Sequence, residues 1–380
     1  MNRIAISPRH NWRAKVEEVG LTFHTPDGIP YWDETAYYQF SAPEIDVLEK
    51  AGNDLHEMCI AAAQQVIDQD RFGQLGIPEV AVPGIKNSWE RDDFSLYGRF
   101  DFAYDGRNPP KLLEYNADTP TALVEAAVAQ WYWLEDSHRS SDQFNSIHER
   151  LIAAWTKHGQ SQPGKIYLGG VKDNLEDEQT VLYVADTCHQ AGLVMEQLFI
   201  EDLGFDSERQ RFVDLKEEVV SNYFKLYPWE WMWHEEFSIH LKLEMCNFIE
   251  PMWKMMLSNK GLLPVLWELY PGHPNLLPAY FTAEAFAAAQ PASGHVRKPK
   301  LSREGANVSI IERGSTVAET EGEYGAEGYI YQAIAPIPEF DGNHPVMGVW
   351  IINHEAGGLG IREDAGLITG NFSRFVPHLF

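Results

Sequence analysis

Two stretches in the first third of the chain alternate apolar and polar residues with the two-residue period of a β-strand. They cover residues 97–104 and 111–118, and the segment between them contains an Asp-Gly pair and a Pro-Pro pair. Turn residues between two alternating runs predict an antiparallel hairpin with a loop of several residues.

The hairpin places two pairs of polar side chains on one face, because side chains two apart on a strand point the same way. With the loop centred near residues 107–108, Asp101 lies opposite Glu114 and Arg99 lies opposite Asn116. Two facing carboxylates repel each other unless a positive group lies between them. Oxygen ligands without His or Cys favour Mg²⁺ or Mn²⁺ over zinc. The alternative is an ordinary charged strand in which a carboxylate pairs with Arg99.

The residues directly after the hairpin are predicted to form a helix. Thr119 has the character of an N-cap residue, and Pro120 suits the first helical position. A helix starting there would direct free backbone N–H groups at the hairpin face and attract an anion, such as a substrate carboxylate or an acyl phosphate. An ordinary capped helix without a chemical role is the alternative.

The remaining patterns predict a protein of the α/β or α+β class. An amphipathic helix begins at the capping box formed by Ser41 and Glu44. From Gly164 onward, strand, helix and strand patterns follow one another and predict a small α/β lobe. Residues 228–257 predict a Trp-rich helical segment, and the last hundred residues predict strands.

Glycine-rich connections in that last part, including the Gly-Gly-Leu-Gly run at 357–360, are expected to be flexible. Near lysine and arginine such connections can cradle phosphates. The sequence contains no GxxxxGK[ST] motif and no GxSxG motif, so neither a Walker-type NTPase nor an α/β-hydrolase is supported.

Composition narrows the class of protein. A content of 44% hydrophobic residues is typical of a folded globular chain. The net charge of −26 argues against binding nucleic acid through its phosphates and is compatible with a cationic partner such as an amine. The alternative is an acidic surface that only keeps the protein soluble. No apolar run is long enough to span a bilayer, and the first residues lack a signal-peptide core, so a cytoplasmic protein without a membrane partner is expected. Three widely spaced cysteines suggest neither a disulfide framework nor a zinc site.

Several motifs, taken in chain order, resemble the synthetase domain of glutathionylspermidine synthase, which is an ATP-grasp ligase. They are Arg99-Phe100-Asp101, the run from Glu114 to Asp118, the run from Asn259 to Pro264, Lys298-Pro299 with Arg303-Glu304-Gly305, and Arg362. The resemblance covers nearly the whole chain. It implies an ATP-grasp fold with the nucleotide bound between two lobes, together with the small α/β lobe for substrate.

The resemblance also implies how the chain is divided. Residues 1–380 would form a single synthetase module, without the cysteine amidase domain of the bifunctional family members. Within it we expect a metal-site lobe at 1–160, the small α/β lobe at 161–227, and a helical segment with the nucleotide-binding lobe at 228–380.

The resemblance assigns a role to each matching residue. Arg99 would stabilise charge on the transferring phosphoryl group, and Asp101, Glu114 and Asn116 would hold Mg²⁺, with two ions expected and Mn²⁺ as a substitute. Residues near the substrates would be Thr119 and Thr121 for the acid and Glu176 with Asp177 for an ammonium group. The ATP-binding set would comprise Arg99, Phe100, Asp101, Lys260, Lys298, Arg303, Glu304, Gly305, Gln332, Ala333, Ile334, Ala335, Arg362, Leu367, Ile368 and Thr369.

The implied reaction joins a carboxylic acid, such as glutathione or a peptide, to an amine, such as a polyamine. ATP would phosphorylate the acid to an acyl phosphate, which the amine then attacks. Three departures from the family pattern lie at the edges of the implied substrate and nucleotide sites. Thr119 and Thr121 replace a serine pair, Ser302 replaces a glycine, and Val346 replaces a glutamine.

Two other functions fit the sequence. One is a nucleotide-binding protein that hydrolyses ATP without a ligase activity. The other is a carbohydrate-active enzyme with paired carboxylates and aromatic platforms, which would leave Lys260, Lys298 and Arg303 unexplained.

Overall fold

The alternating strands at 97–104 and 111–118 form the predicted hairpin, and the hairpin lies inside a larger antiparallel sheet. A computed structural model describes residues 1–290 and 294–380 of this mixed α/β protein. The helices are Trp12–Glu18 (α1), Ala42–Asp68 (α2), Val82–Glu90 (α3), Gln130–Ser137 (α4), Ile147–Ser161 (α5), Leu175–Gln190 (α6), Trp229–His234 (α7), Ser238–Leu241 (α8), Leu262–Leu269 (α9) and Ala283–Ala289 (α10). A π-helical turn at Glu125–Ala129 leads into α4.

The strands group into five sheets. They are Asn2–Ala5 (β1), Ala36–Gln39 (β2), Tyr97–Ala103 (β3), Lys111–Asn116 (β4), Ile166–Gly169 (β5), Met195–Gln197 (β6), Gly204–Asp206 (β7), Arg211–Val213 (β8), Asn222–Lys225 (β9), Asn247–Ile249 (β10), Ala279–Tyr280 (β11), His295–Pro299 (β12), Ser309–Glu312 (β13), Ser315–Glu319 (β14), Tyr329–Ala333 (β15), His344–Ile352 (β16), Glu355–Asp364 (β17), Arg374–Phe375 (β18) and His378–Leu379 (β19).

The central sheet has the strand order β18-β17-β16-β3-β4 and is antiparallel throughout. Strand β16 places Trp350 opposite Arg99 and Gly348 opposite Asp101. The flexibility expected at residues 357–360 is wrong, because these residues lie in β17 and are buried. Their glycines allow close packing: a Cβ atom on Gly360 would lie 2.9 Å from the ring of Phe375.

Helix α2 packs against strands β16 and β17 of this sheet. It begins at the predicted capping box, where Ser41 and Glu44 satisfy each other's backbone N–H groups. Its apolar side buries Leu48, Leu55 and Cys59 in the main core. A face of this kind stabilises a helix mainly by tertiary packing.

A second five-stranded sheet faces the hairpin side of the first. Its order is β11-β15-β12-β13-β14, and each neighbouring pair is antiparallel. Strand β12 carries Lys298, and the paired strand β15 carries Gln332. The two sheets therefore bring residues from distant parts of the chain to opposite sides of one gap.

The third sheet is small and parallel, with the order β10-β9-β5-β6. It confirms the strand, helix, strand pattern predicted after Gly164. The wholly helical segment predicted at 228–257 is wrong, because β10 lies within it and pairs with β9.

Strand pairing crosses the lobe boundaries expected from the sequence. Strand β10 joins the small sheet although it lies beyond residue 227, and the C-terminal strands β16 and β17 join the hairpin of the first 160 residues. A boundary drawn along the sequence cannot follow a sheet assembled from both ends of the chain. Among the described residues, no helix combines the length and the apolar character needed to cross a membrane.

Candidate active site

The hairpin has the register predicted from its period. Arg99 is paired with Asn116, and Asp101 is paired with Glu114. The next pair joins Phe102 to Leu112, so Leu113 has no counterpart and forms a bulge. A bulge of this kind redirects neighbouring side chains and is common beside active sites.

Each of the two facing carboxylates has its own cation. Arg99 donates from Nε to Oδ1 of Asp101 over 2.7 Å and from Nη2 to Oδ2 over 3.0 Å. Lys260 Nζ lies 2.9 Å from Oε2 of Glu114. The repulsion expected between Asp101 and Glu114 is therefore relieved by two cations that come from different parts of the chain.

These cations also control protonation. Burial by itself would raise the pKa of Glu114, but Lys260 and Lys298 outweigh it and lower that pKa. Burial lowers the pKa of Lys298 to about 8, and the charge of Glu114 opposes this shift. Burial also disfavours the charged form of Arg99, but Asp101 reverses the effect and raises the guanidinium pKa. The neighbouring lysines thus favour the ionised form of Glu114.

The donor set fits a hard divalent cation. Asp101 and Glu114 supply carboxylate oxygens and Asn116 supplies an amide oxygen, and all three border one cleft. Hard cations prefer such oxygen ligands. Arg99 also reaches past the carboxylates, because its Nη1 donates to the backbone oxygen of Thr121 over 2.6 Å.

Nearly all predicted site residues line a single cleft between the two five-stranded sheets. The lining comprises Arg99, Asp101, Leu113, Glu114, Asn116, Thr119, Thr121, Val296, Lys298, Arg303, Glu304, Gly305, Val308, Ile310, Gln332, Ala333, Ile334, Ala335, Ile337, Val346, Arg362, Leu367, Ile368 and Thr369. A cleft that combines apolar walls with convergent charged groups is typical of a small-molecule site.

The lining includes two chemically different sets of side chains. One set is aliphatic and includes Val296, Ile310, Ile334 and Leu367. The other set is charged and centres on the hairpin. Lys298 connects the two sheets, because its Nζ donates to Leu113 O over 2.9 Å and to Gln332 Oε1 over 2.8 Å.

Two loops approach each other along the cleft. Glu304 and Gly305 both have positive φ angles, of 53° and 68°. A Cβ atom on Gly305 would lie 2.5 Å from the carbonyl oxygen of Thr369, so only glycine allows this approach. Arg303 anchors the first loop by donating to Oγ1 and O of Thr119. Arg362 anchors the second by donating to the backbone oxygens of Gly370 and Asn371.

The helix predicted to start at Thr119 begins later. Residues 119–122 are not helical, Ala122 has a φ of 66°, and the helix starts at Leu123. Thr119 is therefore not an N-cap, and the N-terminal anion site expected there is wrong. The chain uses these residues for contacts instead, since Thr119 accepts from Arg303 and Thr121 accepts from Arg99.

Four predicted residues lie outside the lining of the cleft. Phe100 is completely buried on the other face of its strand and stacks on Tyr115 with ring centroids 3.9 Å apart, so its side chain cannot contact a ligand in the cleft. Lys260 reaches the cleft through its ion pair with Glu114. Glu176 and Asp177 lie at the start of α6, close enough to Arg303 and Glu304 for their charges to interact.

The sequence prediction singled out neither the buried Glu125 nor the aliphatic wall of the cleft. Glu125 lies on the π-helical turn and has no exposed surface. A signal was present, because it is the only charged residue between Asp118 and Glu135 and stands in a run of small and apolar residues. The aliphatic residues Val296, Val308 and Ile310 have no comparable signal, since apolar strand residues usually form core.

The fold places the protein in a known structural class. A solved glutathione synthetase-like effector from Globodera pallida superimposes with a TM-score of 0.56 and 11% sequence identity, covering 97% of this chain and 96% of that chain. The architecture is therefore that of a glutathione synthetase-like protein. The chain belongs to the family described as glutathionylspermidine synthase preATP-grasp, whose family model matches residues 3–380.

Curated relatives agree with this family. The chain is 45% identical over 379 residues to a Haemophilus influenzae protein named "Putative acid--amine ligase", with 95% of each chain covered. It is 30% identical to the trypanothione synthetase of Crithidia fasciculata and 28% identical to the bifunctional glutathionylspermidine synthetase/amidase of Escherichia coli. The matches cover 85% and 91% of this chain but 53% and 59% of those two relatives. The family resemblance inferred from the motifs is confirmed.

Proposed function

We propose that the protein is an ATP- and Mg²⁺-dependent ligase that joins a carboxylic acid to an amine. One observation carries this proposal: a single cleft combines aliphatic walls with a buried group of paired carboxylates and cations. A nucleotide needs both, because its base is flat and weakly polar while its phosphates are strongly charged. Family membership supports the ligase class, since the named relatives are ligases and synthetases.

The aliphatic part of the cleft is proposed to hold the adenine ring. Gln332, Ala333, Ile334 and Ala335 border this part, and their backbone N–H and C=O groups would recognise the adenine edge. Leu367, Ile368 and Thr369 would close the pocket from the opposite loop. The base would then be enclosed by apolar surface on both faces.

The phosphates are proposed to lie among the cations. Lys298 is buried, and Lys260 and Arg303 approach from neighbouring loops. The loop at Arg303, Glu304 and Gly305 would cover the phosphates, because successive residues with positive φ expose backbone N–H groups to an anion.

Asp101, Glu114 and Asn116 would hold Mg²⁺, with two ions expected and Mn²⁺ able to replace them. The bound metal would neutralise charge on the transferring phosphoryl group. To bind it, Glu114 must release Lys260 and Asp101 must loosen its contact with Arg99. These cations would then be free to contact phosphate oxygens.

Arg99 is proposed to be the catalytic residue. Its guanidinium is buried and permanently charged, and the Thr121 carbonyl oxygen would keep it in place when Asp101 contacts the metal. A donor fixed in this way stabilises charge that develops in the transition state without reorganising. Thr119 and Thr121 border the same region and would position the acid, while Glu176 and Asp177 would attract an ammonium group.

The proposed reaction has two steps. A carboxylate oxygen of the acid attacks the γ-phosphorus of ATP, the bond to ADP breaks, and an acyl phosphate forms. The amine nitrogen, after losing a proton, attacks the acyl carbon, and phosphate leaves with the electron pair of the broken C–O bond. The products are an amide, ADP and phosphate.

The names of the relatives suggest the first substrates to test. Glutathione or another short peptide is proposed as the acid, and a polyamine such as spermidine is proposed as the amine. Val346, which replaces a glutamine of the family pattern, lines the cleft beside Arg362 and would alter its polarity.

The test is ADP release with Mg²⁺ and ATP, alone and with pairs drawn from glutathione, short peptides, amino acids and polyamines. Stimulation that requires one acid and one amine together, with the amide product identified by mass spectrometry, would support the ligase. Hydrolysis that no pair stimulates would support an ATPase without ligase activity. No hydrolysis under any condition would contradict the proposal.

A further inference from the structure

The guanidinium of Arg99 lies against an aromatic ring. Trp350 on β16 is directly opposite Arg99 on β3 in the central sheet. Residues that face each other on neighbouring antiparallel strands have their side chains on the same face of the sheet. The guanidinium carbon of Arg99 lies 5.9 Å from the centre of the Trp350 ring. At this distance the π face of an indole attracts a cation.

The Trp350 ring is itself fixed by its neighbours. Its side chain has no exposed surface, and it stacks on Tyr97 with ring centroids 5.9 Å apart and planes 19° apart. Tyr97 stacks in turn on Phe224 of β9, again with 5.9 Å between centroids. Trp350, Tyr97 and Phe224 thus form an aromatic column that joins the central sheet to the small parallel sheet. A ring held in such a column presents a fixed surface to Arg99.

A glycine next to the ring makes room for the stem of the arginine. Gly348 lies opposite Asp101 on β16, and a Cβ atom there would be only 2.9 Å from Cδ of Arg99. Any larger residue at this position would push the arginine side chain out of its place. The strand therefore provides both the surface on which the guanidinium rests and the space for its stem.

A side pocket beside Arg99 gives the guanidinium room to move. It adjoins the main cleft, because both are lined by Arg99, Asp101, Val346, Arg362 and Thr369. Its other walls are small residues and rings, namely Ala122, Gly348, Gly360, Trp350 and Phe375. Close packing fixes a side chain only where it leaves no free space. The direction of this guanidinium must therefore be set by specific contacts.

Those contacts would change when a metal binds. In the structure Arg99 donates two hydrogen bonds to Asp101 and one to the Thr121 carbonyl oxygen. Under the proposed function, Asp101 turns to Mg²⁺ and its hold on Arg99 loosens. The Thr121 carbonyl oxygen and the Trp350 ring would keep their contacts. A single hydrogen bond fixes one nitrogen of a guanidinium, whereas a flat ring also restricts its plane.

We propose that Trp350 is a positioning residue for Arg99, whose ring keeps the guanidinium directed at the transferring phosphoryl group once Asp101 has bound the metal. This inference rests on the proposed ligase function. A donor that is already oriented stabilises the transition state without reorganising, and a small misplacement is costly in rate. Loss of the ring should therefore reduce turnover far more than it reduces nucleotide binding.

The first test compares two variants that disturb Arg99 from different sides. Trp350→Leu removes the aromatic surface, and Gly348→Ala displaces the arginine stem. Each should lower kcat for Mg-ATP-dependent ADP release by about tenfold or more. The Kd for Mg-ATP should change by less than about threefold, because the lost interaction acts in the transition state. Trp350→Phe keeps a flat ring and should recover kcat to within about threefold of the wild type.

The control is Trp133→Leu, which removes another fully buried tryptophan from the same hydrophobic core. It should lower the melting temperature but leave kcat unchanged. Wild-type kcat in either Trp350→Leu or Gly348→Ala, where that variant folds, would overturn the proposal. Equal losses of kcat and of Mg-ATP affinity would do the same, as would a loss of kcat in Trp133→Leu as large as that in Trp350→Leu. If Trp350→Leu does not fold, Gly348→Ala decides by the same criteria.

The second test measures the contact without turnover. Melting temperatures of Arg99→Met, Trp350→Leu and the double variant form a double-mutant cycle. The two single shifts should fail to add by about 1 °C or more, because each variant removes the same contact. Additive shifts in a wild-type protein that turns over ATP would overturn the positioning role alone. No ADP release from the wild-type protein would overturn the proposed function and the positioning role together.

Discussion

The carboxylates of the hairpin are half-buried and the carboxyl group of Glu125 is fully buried, and the two kinds differ in pairing. Asp101 contacts Arg99 and Glu114 contacts Lys260, whereas Glu125 forms no ion pair within the described part of the chain. Pairing lowers the pKa of Glu114, while burial raises that of Glu125 to about 7. Under the proposed function, the paired carboxylates would exchange their cations for the metal, whereas Glu125 has no cation to exchange.

The largest effect is expected at the paired carboxylates. Asp101→Ala or Glu114→Ala should reduce Mg-ATP turnover by more than about a thousandfold, because the metal's charge stabilisation is worth several kcal/mol. ADP release measures this, and circular dichroism checks that the fold is intact. Glu57→Ala, an exposed carboxylate on α2, serves as the control. Turnover at the wild-type level in either variant would contradict the metal assignment.

A carboxylate that is paired only for stability should behave differently. Lys225→Met leaves Asp118 buried without its cation and should lower the free energy of unfolding by about 3–5 kcal/mol. Urea denaturation measures this loss. The double variant Asp118→Asn with Lys225→Met should recover part of it, because no charge is then left unpaired. A single variant as stable as the wild type would show that the pair is not needed.

The unpaired carboxyl group should give stability an unusual pH dependence. Burial raises the pKa of Glu125 from 4.5 to about 7 on folding, with Glu176 adding to the shift and Arg362 and Tyr31 opposing it. Between these values the folded protein holds more protons than the unfolded chain, so Glu125 lowers stability as pH rises. Relative to the wild type, Glu125→Gln should gain up to about 3 kcal/mol between about pH 4 and pH 8. Parallel stability curves would contradict the raised pKa.

The smallest effect is expected for Arg99→Lys, which tests whether Arg99 acts in catalysis or only in binding. Arg99→Lys keeps the positive charge but cannot contact both oxygens of Asp101 and the Thr121 carbonyl oxygen at once. Turnover should fall by about a hundredfold, while ATP affinity changes by much less. Comparing kcat for ADP release with the Kd for Mg-ATP separates the two. Equal losses in both would show that Arg99 only binds.

The sequence predicted the structure correctly where the structure depends on residues close together in the chain. The two-residue period of the hairpin predicted that Asp101 faces Glu114 and Arg99 faces Asn116, and the observed register is the same. The capping box at Ser41 likewise predicted the start of α2. These features depend on neighbours in the chain, which propensity and spacing describe well.

Prediction failed where tertiary contacts override local preference. Thr119 has the character of an N-cap, but its hydroxyl accepts from Arg303, and the helix begins four residues later. The glycines at 357–360 suggested a mobile loop, but they form a buried strand because close packing there excludes larger side chains. Strand β10 appeared in a segment predicted to be helical, because the parallel sheet offered it a partner.

The sequence by itself determined the hairpin, its facing carboxylates and the family to which the chain belongs, since these depend on residue spacing and on motifs in order. Only the tertiary structure decided that Lys260 pairs with Glu114, that Lys298 lies close enough to lower the pKa of Glu114, and that Glu125 forms no ion pair among the described residues. The physical reason is distance along the chain. Pairing and burial are decided by segments more than a hundred residues apart, whose approach no local pattern encodes.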